Sequence, residues 1–165
     1  MQSIIRHISV VLLFSLAVSA CGFQLRGVTA LSFKHIFIQG APLSISRELN
    51  QSLKSNGIQV VESKDQAELM LELLNEVNEK KILSLSGTGV VREYELNYSA
   101  SFRTREPSNP IWSAPQTVQT RRDFSYNDNA LLGKAEEEVA LNNDMYKSAV
   151  REILRRLTAI KLTAK

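Results

Sequence analysis

Cysteine occurs once in the 165-residue chain, at Cys21, directly after the small pair Ser19-Ala20 and the apolar run Ile8 through Val18. Small side chains there let a peptidase groove close on the backbone, and an unpaired thiol is a liability in an exported protein unless it is used. The other candidates for chemistry are weaker. Once a leader is removed, His35 is the only histidine, and its place between Lys34 and Ile36 in a strand-like stretch marks it as a structural residue. One histidine and one cysteine do not build a zinc site of the usual kind. Ser84-Leu85-Ser86-Gly87-Thr88-Gly89 contains a Gly-x-Gly, but no Lys-Ser/Thr follows, so it reads as a hairpin turn and not as a phosphate cradle. Glu136-Glu137-Glu138 are consecutive on a helix and point in different directions, which suits a first turn near a helix N-terminus and not a metal site. No catalytic set, metal or cofactor is expected. What remains is binding by cations. Arg92, Arg121, Arg122 and Lys134 fall near strand ends and before the last helix, where they could gather at one end of a sheet. Guanidinium and ammonium groups collected there would suit the phosphates and carboxylates of a glycolipid head group.

The elements that would hold these residues begin with a leader. Arg6 and His7 precede the apolar run, whose length fits a secretory signal and falls short of the ~20 residues of a membrane span. Val18-Ser19-Ala20-Cys21 resembles the bacterial lipobox, in which the sulfur takes a diacylglycerol and the freed amine a third acyl chain. Each buried methylene adds ~0.8 kcal/mol of membrane affinity, so two or three chains anchor stably. Residues 1–20 are thus expected as a lipoprotein signal peptide, 21–32 as an acylated tether and 33–162 as a single domain. About 145 residues after the leader are enough for one core, which packing alone must hold together. The formal charge of +3 is too small for a nucleic-acid binder.

Phe33 through Gln39 reads as an internal strand, apolar on both faces at Ile36-Phe37-Ile38 and stopped by Gly40-Ala41-Pro42. Ser44 is the expected N-cap of a helix bearing Ile45, Leu49 and Leu53 on one face, with Asn56-Gly57 as a left-handed stop. Ile58 to Val61 returns as a strand, giving a βαβ-like opening. Ala67 to Leu85 fits both periods. Leu69, Met70, Leu73, Leu74 and Val77 suit a helix, whereas Leu69, Leu71, Leu73 and Val77 share one face of a strand. A long strand is favoured because the next segment needs a partner of its own length. That segment, Arg92 to Arg105, alternates Tyr94, Leu96, Tyr98, Ala100 and Phe102 with polar residues. Ile111 to Tyr126 runs back with Trp112, Ala114, Val118, Thr120, Phe124 and Tyr126 on one side, at an edge or bulged at Pro115. Asn127-Asp128-Asn129 breaks the pattern before a final helix with Val139, Tyr146, Ala149, Val150, Ile153, Leu154, Leu157 and Ile160 as its expected buried stripe. The expectation is an α+β two-layer sandwich, about four mostly antiparallel or mixed strands with two helices packed on one face.

With that body and its basic residues in view, the sequence resembles the LPS-assembly lipoprotein family, LptE. The resemblance lies in Cys21-Gly22-Phe23-Gln24-Leu25-Arg26-Gly27, in Leu43 to Val61 with Leu53, Asn56-Gly57 and Val60, in Glu93-Tyr94-Glu95, and in Met145-Tyr146 with Ile153 to Leu157. It implies an LptE-like domain that sits as a plug inside the LptD β-barrel of the Gram-negative outer membrane, binds lipopolysaccharide (LPS) and assists barrel assembly. Gly22 in place of an aspartate after the cysteine is compatible with sorting to the outer membrane. The resemblance puts Lys134 on the position of one LPS-contacting lysine. The family's other contact, an arginine, falls near Gly87, where Arg92 or Lys81 could substitute. A lipoprotein subunit of another envelope machine, or an envelope hydrolase using His35, are the competing readings.

Overall fold

The computed structural model describes residues 31–126 and 131–162, so Cys21, the leader, residues 21–30 of the tether and the Asn127-Asp128-Asn129 break lie outside the described residues. The order of elements is β1 (His35–Gly40), α1 (Ser46–Ser55), β2 (Gln59–Val61), a single 3₁₀ turn (Lys64–Gln66), β3 (Leu69–Leu85), β4 (Val91–Arg105), β5 (Gln116–Ser125) and α2 (Leu131–Thr158). The strands form one mixed sheet in the order β2-β1-β3-β4-β5, five strands where about four were expected. β1 runs parallel to both β2 and β3, and β3, β4 and β5 are successively antiparallel.

Both helices cover the same face of the sheet. Leu49 and Leu53 of α1 and Met145, Ala149, Val150, Ile153 and Leu157 of α2 meet Ile36, Leu71, Leu73, Leu96, Tyr98, Ala100, Phe102 and Val118 in one buried cluster. The apolar positions of β4 recur every second residue and those of the helices every third or fourth, so each element presents a single stripe to this cluster. Val139, expected in the stripe of α2, is instead exposed, because its neighbour Glu138 is the residue turned to the sheet, where it pairs with Lys80 of β3. At ~25 cal/mol per Å² of apolar area removed from water, this burial is the main force holding the layers together.

α1 does not start as its sequence suggests. Ile45 occupies the cap position and no side chain caps the helix. The Ser44 amide and hydroxyl are instead turned to Glu76 of β3, donating to its carboxylate at 2.9–3.0 Å. A charged acceptor offering two oxygens outcompetes the local capping geometry. The far end follows expectation, with Gly57 at φ +76° after Asn56.

β3 is the long strand favoured above, and its double periodicity has a structural cause. The register with β4 shifts between Leu73 and Asn75, so Leu74 is the extra residue of a β-bulge. Before it, Leu69, Leu71 and Leu73 face the helices. After it the phase is inverted: Glu76, Asn78 and Lys80 lie opposite Ala100, Tyr98 and Leu96 and share their helix-side face. Val77, expected beside the leucines, is therefore on the open face and exposed.

β5 also departs from expectation. It begins at Gln116 and not at Ile111, because Pro110 and Pro115 cannot donate to a ladder. Residues 111–115 instead run irregularly beside the end of β4, with the Ser113 amide donating to the Thr104 carbonyl at 2.8 Å and the Thr104 amide to Ser113 Oγ at 3.0 Å. Trp112 is thus not on the helix side. It lies against the guanidinium groups of Arg103 and Arg105, 4.9 and 5.0 Å from the ring centroid, on the open face.

Candidate functional site

Consecutive side chains of a strand point to opposite faces, and this separates the cations that the sequence grouped. Arg121 projects from the open face of β5, where Nη1 meets Glu95 Oε2 at 2.9 Å and Nη2 meets Asp123 Oδ2 at 3.1 Å. Arg122 projects under α2, donating through Nε to Asp144 Oδ2 at 3.0 Å and through Nη2 to Ser148 Oγ at 3.2 Å. The hydrogen bonds from Arg122 hold the Asp144 carboxyl below the usual carboxylate range. Arg122 is therefore a fastener between β5 and α2.

Lys81 shares the open face with Arg121 and is paired with Glu79 at 2.8 Å. The two cations line one shallow depression of about 460 Å³ together with Val77, Asn97, Ser99 and Gln119. Below it on the same face, Glu72 takes hydrogen bonds from Arg103 and Gln39, and the Arg103 guanidinium lowers its pKa. The open face thus mixes amides, hydroxyls and paired charges with the apolar side chains of Val77 and Trp112.

Lys134 and Arg92 lie at the end of the sheet where β4 begins and β5 ends. Lys134, in the first turn of α2, donates to Glu137 Oε2 at 2.6 Å and to Ser125 Oγ at 3.4 Å. Ser125 is paired with Glu93, next to Arg92, whose carbonyl accepts from the Tyr126 amide at 2.7 Å. Among the described residues no carboxylate contacts the Arg92 side chain. Of the five cations, then, this end collects Arg92 and Lys134, the open face collects Lys81 and Arg121, and Arg122 is committed to the helix.

The bulge brings in functional groups that alternation could not place. Glu76 accepts from the Tyr98 hydroxyl at 2.7 Å as well as from Ser44, and burial pushes the Tyr98 phenol far above its ordinary pKa. Asn78 Nδ2 donates to the Tyr146 hydroxyl at 2.9 Å. Lys80 Nζ sits 4.2 Å from the Tyr94 ring centroid and 5.5 Å from that of Phe124, and bridges to Glu138 at 2.5 Å. These residues extend the helix–sheet interface beyond the apolar cluster with polar contacts. The adjacent Leu73-Leu74 pair does not by itself mark the phase change, because Leu69-Met70-Leu71 is equally consecutive without a bulge.

His35 has a structural setting. Its Nδ1 lies 3.2 Å from Glu68 Oε1, and the Lys34 amide donates to Glu68 Oε2 at 2.7 Å, which fastens β1 to the start of β3. The Lys34 amide is the main cause of the lowered Glu68 pKa, with His35 second. Among the described residues no hydroxyl or thiol is hydrogen-bonded to His35, and no three His, Cys, Asp or Glu side chains converge as a metal site.

Comparison with known proteins bears on the whole body. The sequence profile of a family described as LptE, lipopolysaccharide-assembly, matches residues 33–157. The LPS-assembly lipoprotein LptE of Photorhabdus laumondii is 27% identical over 164 aligned residues, covering 94% of this chain and 88% of its own. The protein of the same name from Yersinia enterocolitica is 26% identical, covering 94% of this chain and 78% of its own. Among solved structures, an uncharacterized lipoprotein B from Nitrosomonas europaea superposes with a TM-score of 0.73 at 35% identity, over 84% of this chain and 91% of that one. Rare lipoprotein B from Shewanella oneidensis gives 0.67 at 25% identity, over 76% and 94%.

Proposed function

The chain belongs to the LptE lipopolysaccharide-assembly family, and from that premise we propose that it is an outer-membrane lipoprotein, held by acyl chains on Cys21, that plugs the LptD β-barrel, assists its assembly and binds LPS during export. The carrying observation is the extent of the family match, which runs from before β1 to the last turn of α2 and so takes in every element of the fold. The open face supports the plug reading: its ion pairs close within the sheet, and hydroxyls and amides stand between them beside the apolar Val77 and Trp112, a surface a water-filled lumen tolerates. The role is one of binding and sealing, without catalysis.

For LPS, the end formed by Arg92 and Lys134 is the leading site. Lys134 is half-buried and held by Glu137 and Ser125, so its ammonium is already positioned, and a lipid phosphate would displace one carboxylate partner from it. Arg92 has no such partner among the described residues. Lys81 and Arg121 on the open face form a second, weaker pair of LPS contacts, since each must first release Glu79 or Glu95 and Asp123. Arg122 is the least available of the proposed contacts, being shared with Asp144 and Ser148.

The test is co-purification in mild detergent together with LPS binding. The wild-type chain is expected to retain a large barrel protein, and Lys134→Glu is expected to retain that barrel while losing roughly tenfold in LPS affinity, the scale of one charge-assisted contact. A chain that never holds a barrel under gentle extraction overturns the plug. Unchanged LPS affinity in Lys134→Glu removes that residue from the site. Depletion that leaves surface LPS intact while another envelope process fails points to a subunit of a different machine.

A further inference from the structure

The two layers of the molecule treat their charges differently. On the open face of the sheet Lys81, Arg103 and Arg121 each close an ion pair within the sheet, to Glu79, Glu72 and Glu95. On the outer surface of the helices the balance is basic and left open. α1 and the part of α2 from Asn142 onward carry six cations against three carboxylates, and two of the three, Asp144 and Glu152, are held by Arg122, Arg155 and Arg156. Arg47, Lys54, Lys147 and Arg151 are exposed and have no ion-pair partner among the described residues. Lys147 and Arg151 act on Asp144 only through space, because its hydrogen bond comes from Arg122.

Two of these open cations share a site. Arg47 of α1 and Lys147 of α2 line one depression of about 320 Å³ between the helices, with Gln51, Asn143 and Tyr146. The Tyr146 hydroxyl accepts from Asn78 at 2.9 Å and keeps its own proton to donate. Glu48 is the one carboxylate of the depression, and it has no ion pair among the described residues.

We propose that the helix layer is the face this plug lays against its barrel, with a carboxylate side chain of the lumen wall seated between Arg47 and Lys147, and that the open sheet face is turned to the water-filled passage. The inference rests on the plug reading and adds to it the orientation of the body. A body inside a lumen must lay some face on the wall. Charges already closed within a sheet lose hydration on contact and gain little from a second partner, whereas an exposed cation without a partner gains a charge-assisted bond. Glu48 favours a carboxylate over a phosphate in the depression, since its repulsion scales with the charge it meets. Lys54 and Arg151 extend the basic surface along the same two helices and add attraction to an acidic wall.

The test uses the full chain co-expressed with its barrel and extracted in mild detergent. A photocrosslinking residue at Gln51 is expected to join the barrel at a peptide containing Asp or Glu, and one at Gln119, on the open face, to give little product. Arg47→Glu with Lys147→Glu should lower the amount of barrel retained roughly tenfold, and a cation placed at the crosslinked carboxylate should restore it, which a misfolded body would not allow. Arg47→Gln with Lys147→Gln should weaken the dependence of retention on salt. Product from Gln119 with none from Gln51 overturns the orientation and leaves the plug standing. So does a charge reversal that keeps the barrel, or one that loses it beyond rescue. A reversal that keeps the barrel and lowers LPS affinity makes the depression a lipid-phosphate site, which overturns the proposal as well. A wild-type chain that holds no barrel fails the plug reading itself, and this proposal with it.

Discussion

Glu76 does more for the assembly of the domain than its place in an acidic stretch suggests. It is the common acceptor for the Tyr98 hydroxyl, the Ser44 amide and the Ser44 hydroxyl, and so joins β3, β4 and the entrance to α1. Glu76→Ala leaves a buried phenol without its acceptor and is expected to cost about 2–3 kcal/mol, whereas Tyr98→Phe removes a donor and keeps the ring, costing about 1 kcal/mol. Urea unfolding of the two variants checks the order. Three carboxylates carry an expected acid sensitivity. Arg103 holds Glu72, Arg155 holds Glu152 and the Lys34 amide holds Glu68 below their ordinary values. A carboxyl whose pKa is depressed in the folded state adds stability that is fully present above its unfolded pKa and is lost as pH falls through the folded one. The urea midpoint should therefore hold between about pH 7 and 5 and drop on the way to about pH 3. Glu72→Gln should flatten part of that drop, and a midpoint with no acid dependence would contradict the assignment.

At the scale of elements, the end of β1 is set by a close approach. Gly40 has φ +103°, and a Cβ placed there would lie 2.0 Å from the Leu73 carbonyl oxygen. That carbonyl is held by the Ala41 amide at 2.9 Å, so it cannot swing away freely. Gly40→Ala combines a left-handed backbone with a backbone collision and is expected to cost about 3 kcal/mol or more, read as a lowered thermal midpoint. The elements also show where reading from sequence works. β4 was legible because one of its faces is buried along its length, so burial imposes a strict period of two. β3 was legible in type but not in facing: a bulge at Leu74 inverts the phase, and no local preference of that leucine announces it. Trp112 was misplaced because the proline pair around residues 110–115 dissolves a strand that alternation alone would extend. The cations were misgrouped for a tertiary reason. Whether Arg121 or Arg122 is committed depends on Glu95, Asp123 and Asp144, which reach them from the neighbouring strand, the same strand and the helix.

The whole molecule is an elongated two-layer body with unlike ends. β3, at ~3.3 Å per residue, runs roughly 55 Å, and α2, at ~1.5 Å per residue, runs roughly 42 Å beside it. Ser32, shortly before β1, donates through Oγ to the Ile160 carbonyl at 2.7 Å, just past the C-terminal end of α2. The tip of the β3–β4 hairpin and Lys134 lie at the opposite end, where α2 starts. A site-specific crosslinker at Leu85 and another at Lys34 should therefore capture different neighbours in the envelope. Identical products from both positions would contradict this separation. The same geometry predicts that Arg122→Ala, which loosens α2 from β5, lowers stability by about 1 kcal/mol at a partly exposed pair without the selective loss of LPS binding expected of Lys134→Glu.

Beyond Ser84 and Glu93 the β3–β4 hairpin has only its own two strands, and this arm contributes no residue to the buried cluster, which frees its length from the demands of folding. Removing matched residues from both strands, two at a time on each to keep inside and outside in phase, would draw the turn back by roughly 7 Å while the core stays as it is. Reach is thus an adjustable dimension of this molecule. Chains with longer or shorter arms on the same layers would span different gaps at nearly constant resistance to unfolding.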